Sequence, residues 1–186
     1  VEFLEVFAGC GALSNAIKAE GCSVGEGIDM DYPSYGMHWD LRSPQSRDLY
    51  LHLTREVLKP RGSHYALPSK RWSVGGARDP GENDWALARF VMNDMSWREE
   101  NELHSSFEGP LLHDLTRDSE WTERFGTVAE PRFPWNNVRV DGCLLNVSSP
   151  GGGDVGRPVR KSLRLWATFP LGCLAAACRD GLCSPL

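Results

Sequence analysis

The sequence has no apolar run that approaches the roughly 20 residues of a membrane-spanning helix, so no span is predicted. No period of about 20–50 residues repeats, which excludes a solenoid. The six cysteines form no CxxC pair and no standard zinc spacing, so no metal site is predicted. Near the end, Cys173, Cys178 and Cys183 recur at intervals of five, and unpaired thiols are favoured there over a metal or a disulfide. The first residues lack a secretory signal, although the chain begins at Val1 rather than Met.

What the chain does contain is typical of a globular protein. Its 186 residues, with 41% hydrophobic and 24% charged, predict a single domain over residues 1–186. The net charge of -5 argues against a generally basic nucleic-acid binder. From Arg132 onward, however, seven Lys and Arg stand against three Asp and Glu. A polyanion such as DNA would bind this C-terminal third, and scattered surface charge is the alternative interpretation.

Strand and helix patterns alternate along the chain. Residues 1–7 and 23–28 read as buried strands, and Leu13, Ala16 and Ile17 mark the helix between them. Ser43 and Pro44 begin a second helix, with Leu49, Leu53 and Val57 as its expected inner face. This alternation predicts an α/β fold with a mostly parallel sheet.

The remaining elements complete that sheet. Asp84 is a candidate cap for a helix whose inner face carries Ala88, Val91, Met92 and Met95. Short strands are expected at residues 64–67 and 104–107, and a short helix at residues 118–125. Residues 138–147 and 159–169 predict an antiparallel C-terminal hairpin across Pro150 to Gly153.

The loop between the first strand and the first helix is the strongest candidate for a binding site. Gly9 and Gly11 allow a tight turn and close approach of a ligand, and the helix N-terminus offers N–H groups. Asp29 follows the second strand. Its separation from the glycine motif along the sequence is close to the roughly 20 residues typical of a carboxylate that binds ribose hydroxyls. A cofactor site is therefore predicted, with a ligand-free glycine turn as the alternative.

These segments, FLEVFAGCGALSNAI and then GIDMD, resemble the opening of the DNA cytosine-C5 methyltransferases. The resemblance implies a Rossmann-like class I fold that binds S-adenosylmethionine (SAM). Phe7, Gly9 and Gly11 would contact its methionine part, and Asp29 or Asp31 would hold the ribose. Asp40, in Trp39-Asp40-Leu41, would pair with the adenine amino group.

The later motifs of the family occur in order but altered. Ser69 stands where the family's nucleophilic cysteine is expected, between Pro68 and Trp72. Glu108 matches the glutamate that engages the cytosine ring, without the asparagine that normally follows. Arg160 lies in GRPVRKSLRLW, which resembles a later basic motif, and too few residues follow for a target-recognition domain.

Three functions are compatible with this pattern. The first is a SAM-binding domain with impaired or lost methyl transfer, because a serine hydroxyl is a much weaker nucleophile than a thiolate. The second is a non-catalytic structural or interaction subunit with protein partners, since a fold does not fix a function. A methyltransferase acting on another substrate, with Glu108 as base, is a third option. The resemblance implies a nuclear or intracellular protein that acts on DNA.

Overall fold

A computed structural model describes residues 1–68, 81–109, 136–141 and 162–170, the last stretches partly as backbone only. By its internal contacts the chain divides into two compact units, Val1–Phe107 and Glu108–Leu186. Each unit is described by itself below. The expectation of one domain over residues 1–186 stays a prediction.

The first unit alternates strands and helices, as the sequence predicts. The elements in chain order are strand β1 (Phe3–Val6), helix α1 (Ala12–Ala19), helix α2 (Pro44–His52), a π-helical turn (Leu53–Leu58), strand β2 (Gly62–Ala66), helix α3 (Glu82–Glu100) and strand β3 (His104–Gly109). The last two residues of β3 belong to the second unit.

The strands of the first unit form a parallel sheet with β2 in the middle. Phe3 of β1 lies opposite Gly62 of β2, and the register continues in parallel to the end of β1. β3 lies on the other side of β2. The backbone N–H of His104 donates to the carbonyl of Arg61, which fixes the start of that pairing.

The predicted second strand, residues 23–28, is reduced to a bulged segment with two isolated parallel bridges to β1. Phe3 pairs with Val24 and Val6 pairs with Ile28, so the segment advances four residues while β1 advances three. One extra residue interrupts the ladder, which is the definition of a β-bulge. Gly27 fits here because a Cβ at this position would collide with the Cβ of Ala8.

The inner face of α2 differs from the predicted one. Leu49 and Val57 are exposed by 51% and 61%, whereas Tyr50 and Thr54 are buried. Burial favours the tyrosine because its large ring enters the core while its hydroxyl finds a partner, the carboxylate of Asp94. The predicted apolar face was therefore wrong by one residue.

Helix α3 packs as predicted but begins differently. Its expected inner residues Ala88, Val91, Met92 and Met95 are all buried. The N-cap is Gly81, and Asp84 is the third helical residue rather than the cap. The Asp84 carboxylate accepts a hydrogen bond from the Gly81 N–H at 3.1 Å, so it still satisfies the helix start.

A buried polar cluster joins α2, β2 and α3. The carboxylate of Asp94, 2% exposed, accepts hydrogen bonds from the hydroxyls of Tyr65 at 2.6 Å and Tyr50 at 2.9 Å. Arg55 completes the cluster with a salt bridge of 3.0 Å to Asp94 and stacks over Trp97. Burial, with the Asp94 charge beside them, raises the pKa of both tyrosines well above the usual value.

The second unit contains an antiparallel pair, strand β4 (Asn136–Asp141) and strand β5 (Ser162–Ala167), with Val138 opposite Leu165. This confirms the antiparallel C-terminal pairing. The predicted connection across Pro150 and the predicted helix at residues 118–125 lie outside the described residues. The fold is thus α/β, with parallel strands and an antiparallel pair, and is compatible with a Rossmann-like architecture.

Candidate functional site

The order in which the chain adds strands to the sheet reverses at β1, although the strands stay parallel. After β1 it passes through α1 to the bulged segment on one side of this strand, and after α2 it enters β2 on the other side. In open α/β sheets, ligands bind outside the carboxyl ends of the strands at such a switch point. The candidate site therefore lies where residues 7–11, 29–42 and 66–68 follow these strands.

The loop after β1 has a strained backbone. Phe7, Gly9 and Gly11 have positive φ angles of 62°, 51° and 70°. Glycine takes this conformation at little cost, but a residue with a Cβ is strained by about 1–2 kcal/mol. Strain of this kind at Phe7 is a feature of functional loops. A Cβ at Gly9 would meet no atom within 4 Å, so conformation rather than crowding requires this glycine.

Two carboxylates hold the loop in place. Asp29 Oδ2 accepts a hydrogen bond from the Gly9 N–H at 2.8 Å, while its Oδ1 accepts one from the Asp31 N–H at 2.8 Å. Glu5 Oε2 accepts two bonds from Ser14, one from the backbone N–H and one from the hydroxyl. The loop is thereby fixed to the bulged segment at one end and to β1 at the other.

A cavity of about 380 Å³ opens at these carboxyl ends. Of the six residues that the sequence assigned to the cofactor, it brings together Phe7, Asp29, Asp31 and Asp40. Pro68 lines it as well, from the end of β2. Gly9 and Gly11 instead line a second cavity of about 470 Å³ beside α1, and Asp29 borders both cavities.

The charged residues described around the first cavity are mostly acidic. Among the part of its lining that the structure describes are four carboxylates, those of Asp29, Asp31, Asp40 and Asp84, and one cationic side chain, that of Arg42. Carboxylates accept hydrogen bonds from hydroxyl and amino groups and attract cations, but they repel phosphates. We therefore expect a ligand rich in donors and positively charged, rather than a dinucleotide with a pyrophosphate.

Trp39 fixes the wall that carries Asp40. Its ring is buried, and the indole N–H donates to the carbonyl of Ser34 at 3.0 Å. Its backbone N–H donates to the carbonyl of Asp29 at 3.0 Å. Asp40, the next residue, accepts a hydrogen bond from the Arg42 N–H at 3.1 Å. Backbone N–H groups therefore fix both acidic residues of this wall: that of Trp39 bonds the Asp29 carbonyl, and that of Arg42 bonds the Asp40 carboxylate.

The predicted catalytic residues are described only in part. Ser69 and Arg160 lie outside the described residues, as do Trp72 and the other residues of the basic motif before Ser162. Glu108 lies half-buried in β3, one residue before the strand ends. Whether Ser69, Glu108 and Arg160 act together therefore stays a prediction.

The sequence reasoning missed Arg42 and Asp84, which line the first cavity, and Glu5, which lines neither cavity but holds Ser14 of the second. Glu5 offered a usable signal, because a carboxylate inside the apolar strand VEFLEVF is costly to bury without partners. It is 5% exposed and satisfied by Ser14, nine residues later. Arg42 and Asp84 gave no such signal, since their approach to the cavity depends on the folded positions of a loop and of α3.

Other types of site were sought in the same ranges. Within the described part of the chain, no group of three His, Cys, Asp or Glu side chains could hold a metal ion. Cys10 and Cys22, the cysteines described there, are exposed free thiols. None of the helices among the described residues has the length and apolar character to cross a membrane.

Comparison of the sequence with models of known protein families gives no match, and comparison with curated protein sequences gives none either. The assignment of a function therefore depends on the motifs and geometry of this chain.

Proposed function

We propose that this chain binds SAM in the first cavity, called the aspartate-lined cavity after Asp29, Asp31, Asp40 and Asp84, as a domain related to the DNA cytosine-C5 methyltransferases. The observation that supports the proposal is one cavity of about 380 Å³ lined by Phe7, Asp29, Asp31 and Asp40. Its volume falls within the range of about 300–1,000 Å³ of small-molecule sites. The family resemblance names these four residues for SAM together with Gly9 and Gly11, which line the second cavity.

The chemistry of the cavity fits this ligand. The ribose hydroxyls of SAM donate hydrogen bonds, which Asp29 or Asp31 accepts, and the adenine amino group donates to Asp40. The sulfonium and ammonium groups give the molecule a net positive charge, which suits the four carboxylates. The ring of Phe7 supplies an apolar surface next to the strained loop.

Titration calorimetry with SAM tests this binding. We expect wild-type protein to bind and Asp40→Ala to lose about tenfold or more in affinity, the value of a charge-assisted hydrogen bond. The matched control is Asp48→Ala, which removes an exposed carboxylate on α2 that borders neither cavity. Equal affinities in all three proteins would contradict the assignment of the cavity.

Methyl transfer itself is proposed to be impaired or lost. SAM supplies the methyl group in this chemistry, but attack on the base in the family starts from a cysteine thiolate. A thiol has a pKa near 8.5, whereas a serine hydroxyl needs a dedicated base. Loss of a covalent nucleophile costs on the order of 10⁴–10⁶ in rate. We expect no transfer of radiolabelled methyl groups to a cytosine-containing duplex. Transfer that Ser69→Ala abolishes would contradict this part.

A non-catalytic interaction subunit is the second candidate function. Leu49 on α2 and Val57 on the π-helical turn are exposed by 51% and 61%, and a protein partner would cover such apolar side chains. SAM binding in the micromolar range by the isolated chain would favour the first candidate, and a folded protein that binds no SAM would favour the second.

A further inference from the structure

The loop that carries Asp40 is held by an arginine side chain from the helix that follows it. Arg47, the fourth residue of α2, donates from Nε to the carbonyl of Leu41 at 2.7 Å and from Nη2 to the carbonyl of Arg42 at 3.3 Å. A guanidinium presents its N–H donors in one rigid plane, so it can bind two successive carbonyls at once. Arg47 lines neither of the two cavities, whereas the three residues of this loop all line the aspartate-lined cavity.

An arginine is an unfavourable residue so close to the start of a helix. A cation there lies near the positive end of the helix dipole. Burial, followed by the charge of Arg89 on α3, lowers the pKa of Arg47, while the carboxylate of Asp40 acts in the opposite direction. The carboxylate that stabilises the charged guanidinium thus belongs to the same loop whose carbonyls the guanidinium binds.

Arg47 also connects this loop to α3. Its Cζ lies 5.4 Å from the centroid of the Phe90 ring, within the range of a cation–π contact. The same helix contributes Asp84 and Leu87 to the lining of the aspartate-lined cavity. Two parts of that lining, the loop and the helix, are therefore joined through one side chain that does not itself line the cavity.

We propose that Arg47 is a positioning residue: by holding the loop of residues 40–42, it sets where the Asp40 carboxylate meets the ligand. A carboxylate accepts hydrogen bonds and donates none, so a well-placed Asp40 favours a purine with a 6-amino group over one with a 6-oxo group. Arg47 thereby determines the purine preference of the cavity. This preference rests on the proposed function, in which Asp40 binds the adenine amino group, whereas the fixing of the loop rests on the hydrogen bonds of Arg47 alone.

Amide hydrogen exchange tests the fixing of the loop without any ligand. The proteins are wild type, Arg47→Gln and the matched control Arg55→Gln, which also removes a partly buried guanidinium that lies over an aromatic ring but borders neither cavity. The reporters are the N–H of Arg42, which donates to the Asp40 carboxylate, and the N–H of Ser43, which donates to the Asp40 carbonyl. We expect both amides to exchange about tenfold faster in Arg47→Gln than in the other two proteins. Unchanged exchange in a folded Arg47→Gln would overturn the proposal.

A calorimetric titration connects the loop to the purine. The ratio of the dissociation constants of the 6-oxo analogue of SAM and of SAM itself is measured for the same three proteins. We expect wild type and Arg55→Gln to prefer SAM by the same factor of about ten or more, and this factor to fall at least about threefold in Arg47→Gln. A purely structural role of Arg47 would weaken both ligands equally and leave the ratio unchanged, which would overturn the proposal.

The failures of the two proposals are distinguishable. Wild-type protein that binds no SAM contradicts the proposed function and with it the purine preference, while the exchange measurement still decides whether Arg47 fixes the loop. Wild-type protein that binds SAM and its 6-oxo analogue equally overturns the preference alone. Should Arg47→Gln fail to fold, Arg47→Lys replaces it, because lysine keeps the charge beside Phe90 but lacks the planar fork. Faster exchange and a smaller ratio in that variant support the proposal, and wild-type values overturn it.

Discussion

The carboxylate of Asp29 accepts a hydrogen bond from the backbone N–H of Gly9 at 2.8 Å, which joins the loop after β1 to the end of the bulged segment. The same side chain accepts the N–H of Asp31 at 2.8 Å. One residue therefore sets the spacing of two loops that border the aspartate-lined cavity. The glycine turn and the acidic residue that follows it act as one structural unit.

The first prediction concerns this link. Asp29→Asn replaces one accepting oxygen with an N–H₂ group that faces a backbone donor. We expect a loss of about 1–3 kcal/mol in unfolding free energy and at least tenfold weaker SAM binding. Urea unfolding and calorimetry measure the two effects. Glu2→Gln is the control, because its exposed carboxylate also accepts a backbone N–H, that of Ser23 at 2.6 Å, and borders neither cavity. An Asp29→Asn protein no different from this control would contradict the link.

The second prediction exploits the strained backbone of Phe7, whose φ is 62°. Both Phe7→Ala and Phe7→Gly remove the ring, but only glycine also relieves the strain. We expect Phe7→Gly to be more stable than Phe7→Ala by about 1 kcal/mol, the reverse of the order at ordinary positions. Denaturant unfolding of the pair measures this difference. Alanine as the more stable replacement would show that the backbone is not strained there.

The third prediction is a pH dependence from His64. Burial lowers the pKa of its imidazole to about 4, and its Nδ1 lies 2.9 Å from the Ser106 hydroxyl. The unfolded chain, with a pKa near 6.5, binds the proton more readily than the folded chain. The stabilisation is therefore complete above about pH 6.5 and is lost as the pH falls towards 4, by about 3 kcal/mol.

The replacement His64→Asn isolates this effect, because its amide reaches the position of Nδ1 and does not titrate. The difference in unfolding free energy between wild type and variant should shrink or reverse between pH 7 and pH 4. A difference that stays constant over this interval would show that His64 does not titrate abnormally.

The fourth prediction concerns the polar cluster around Asp94. Tyr65→Phe removes one bond to a carboxylate that keeps Tyr50 and Arg55, so we expect a loss of about 1–3 kcal/mol. Asp94→Ala leaves Arg55 without its salt bridge and the buried Tyr65 hydroxyl without its acceptor, while Tyr50 keeps only its 3.3 Å bond to Tyr65, and should cost about 3–5 kcal/mol. Urea unfolding compares them. A smaller loss in Asp94→Ala than in Tyr65→Phe would contradict the central position of Asp94.

Local patterns were enough to predict much of the first unit. An apolar run predicted β1, the pair Ser43 and Pro44 predicted the start of α2, and regular apolar spacing predicted the buried face of α3. Each of these features depends on neighbours in sequence. The parallel order of strands followed from their alternation with helices.

The features that escaped prediction depend on residues far apart in the chain. The face of α2 is set by the bond from Tyr50 to Asp94, 44 residues away, and the bulge appears only when the segment pairs with β1. Glu5 reads as an interruption of an apolar strand until Ser14 is seen beside it. Within the site, Asp29, Asp31 and Asp40 were predictable from their motifs. The approach of Asp84 to the same cavity was not, and neither was the position of Gly9 and Gly11 at the second cavity.

The measurement that tests the central claim most directly is NMR mapping of the backbone amides during titration with SAM. We predict saturable shifts at Phe7, at residues 29–31 and at residues 40–42, which border the cavity of about 380 Å³. The amides of Leu49 and Val57 should remain unchanged. Absence of shifts in the folded protein, or shifts confined to residues away from this cavity, would contradict the account.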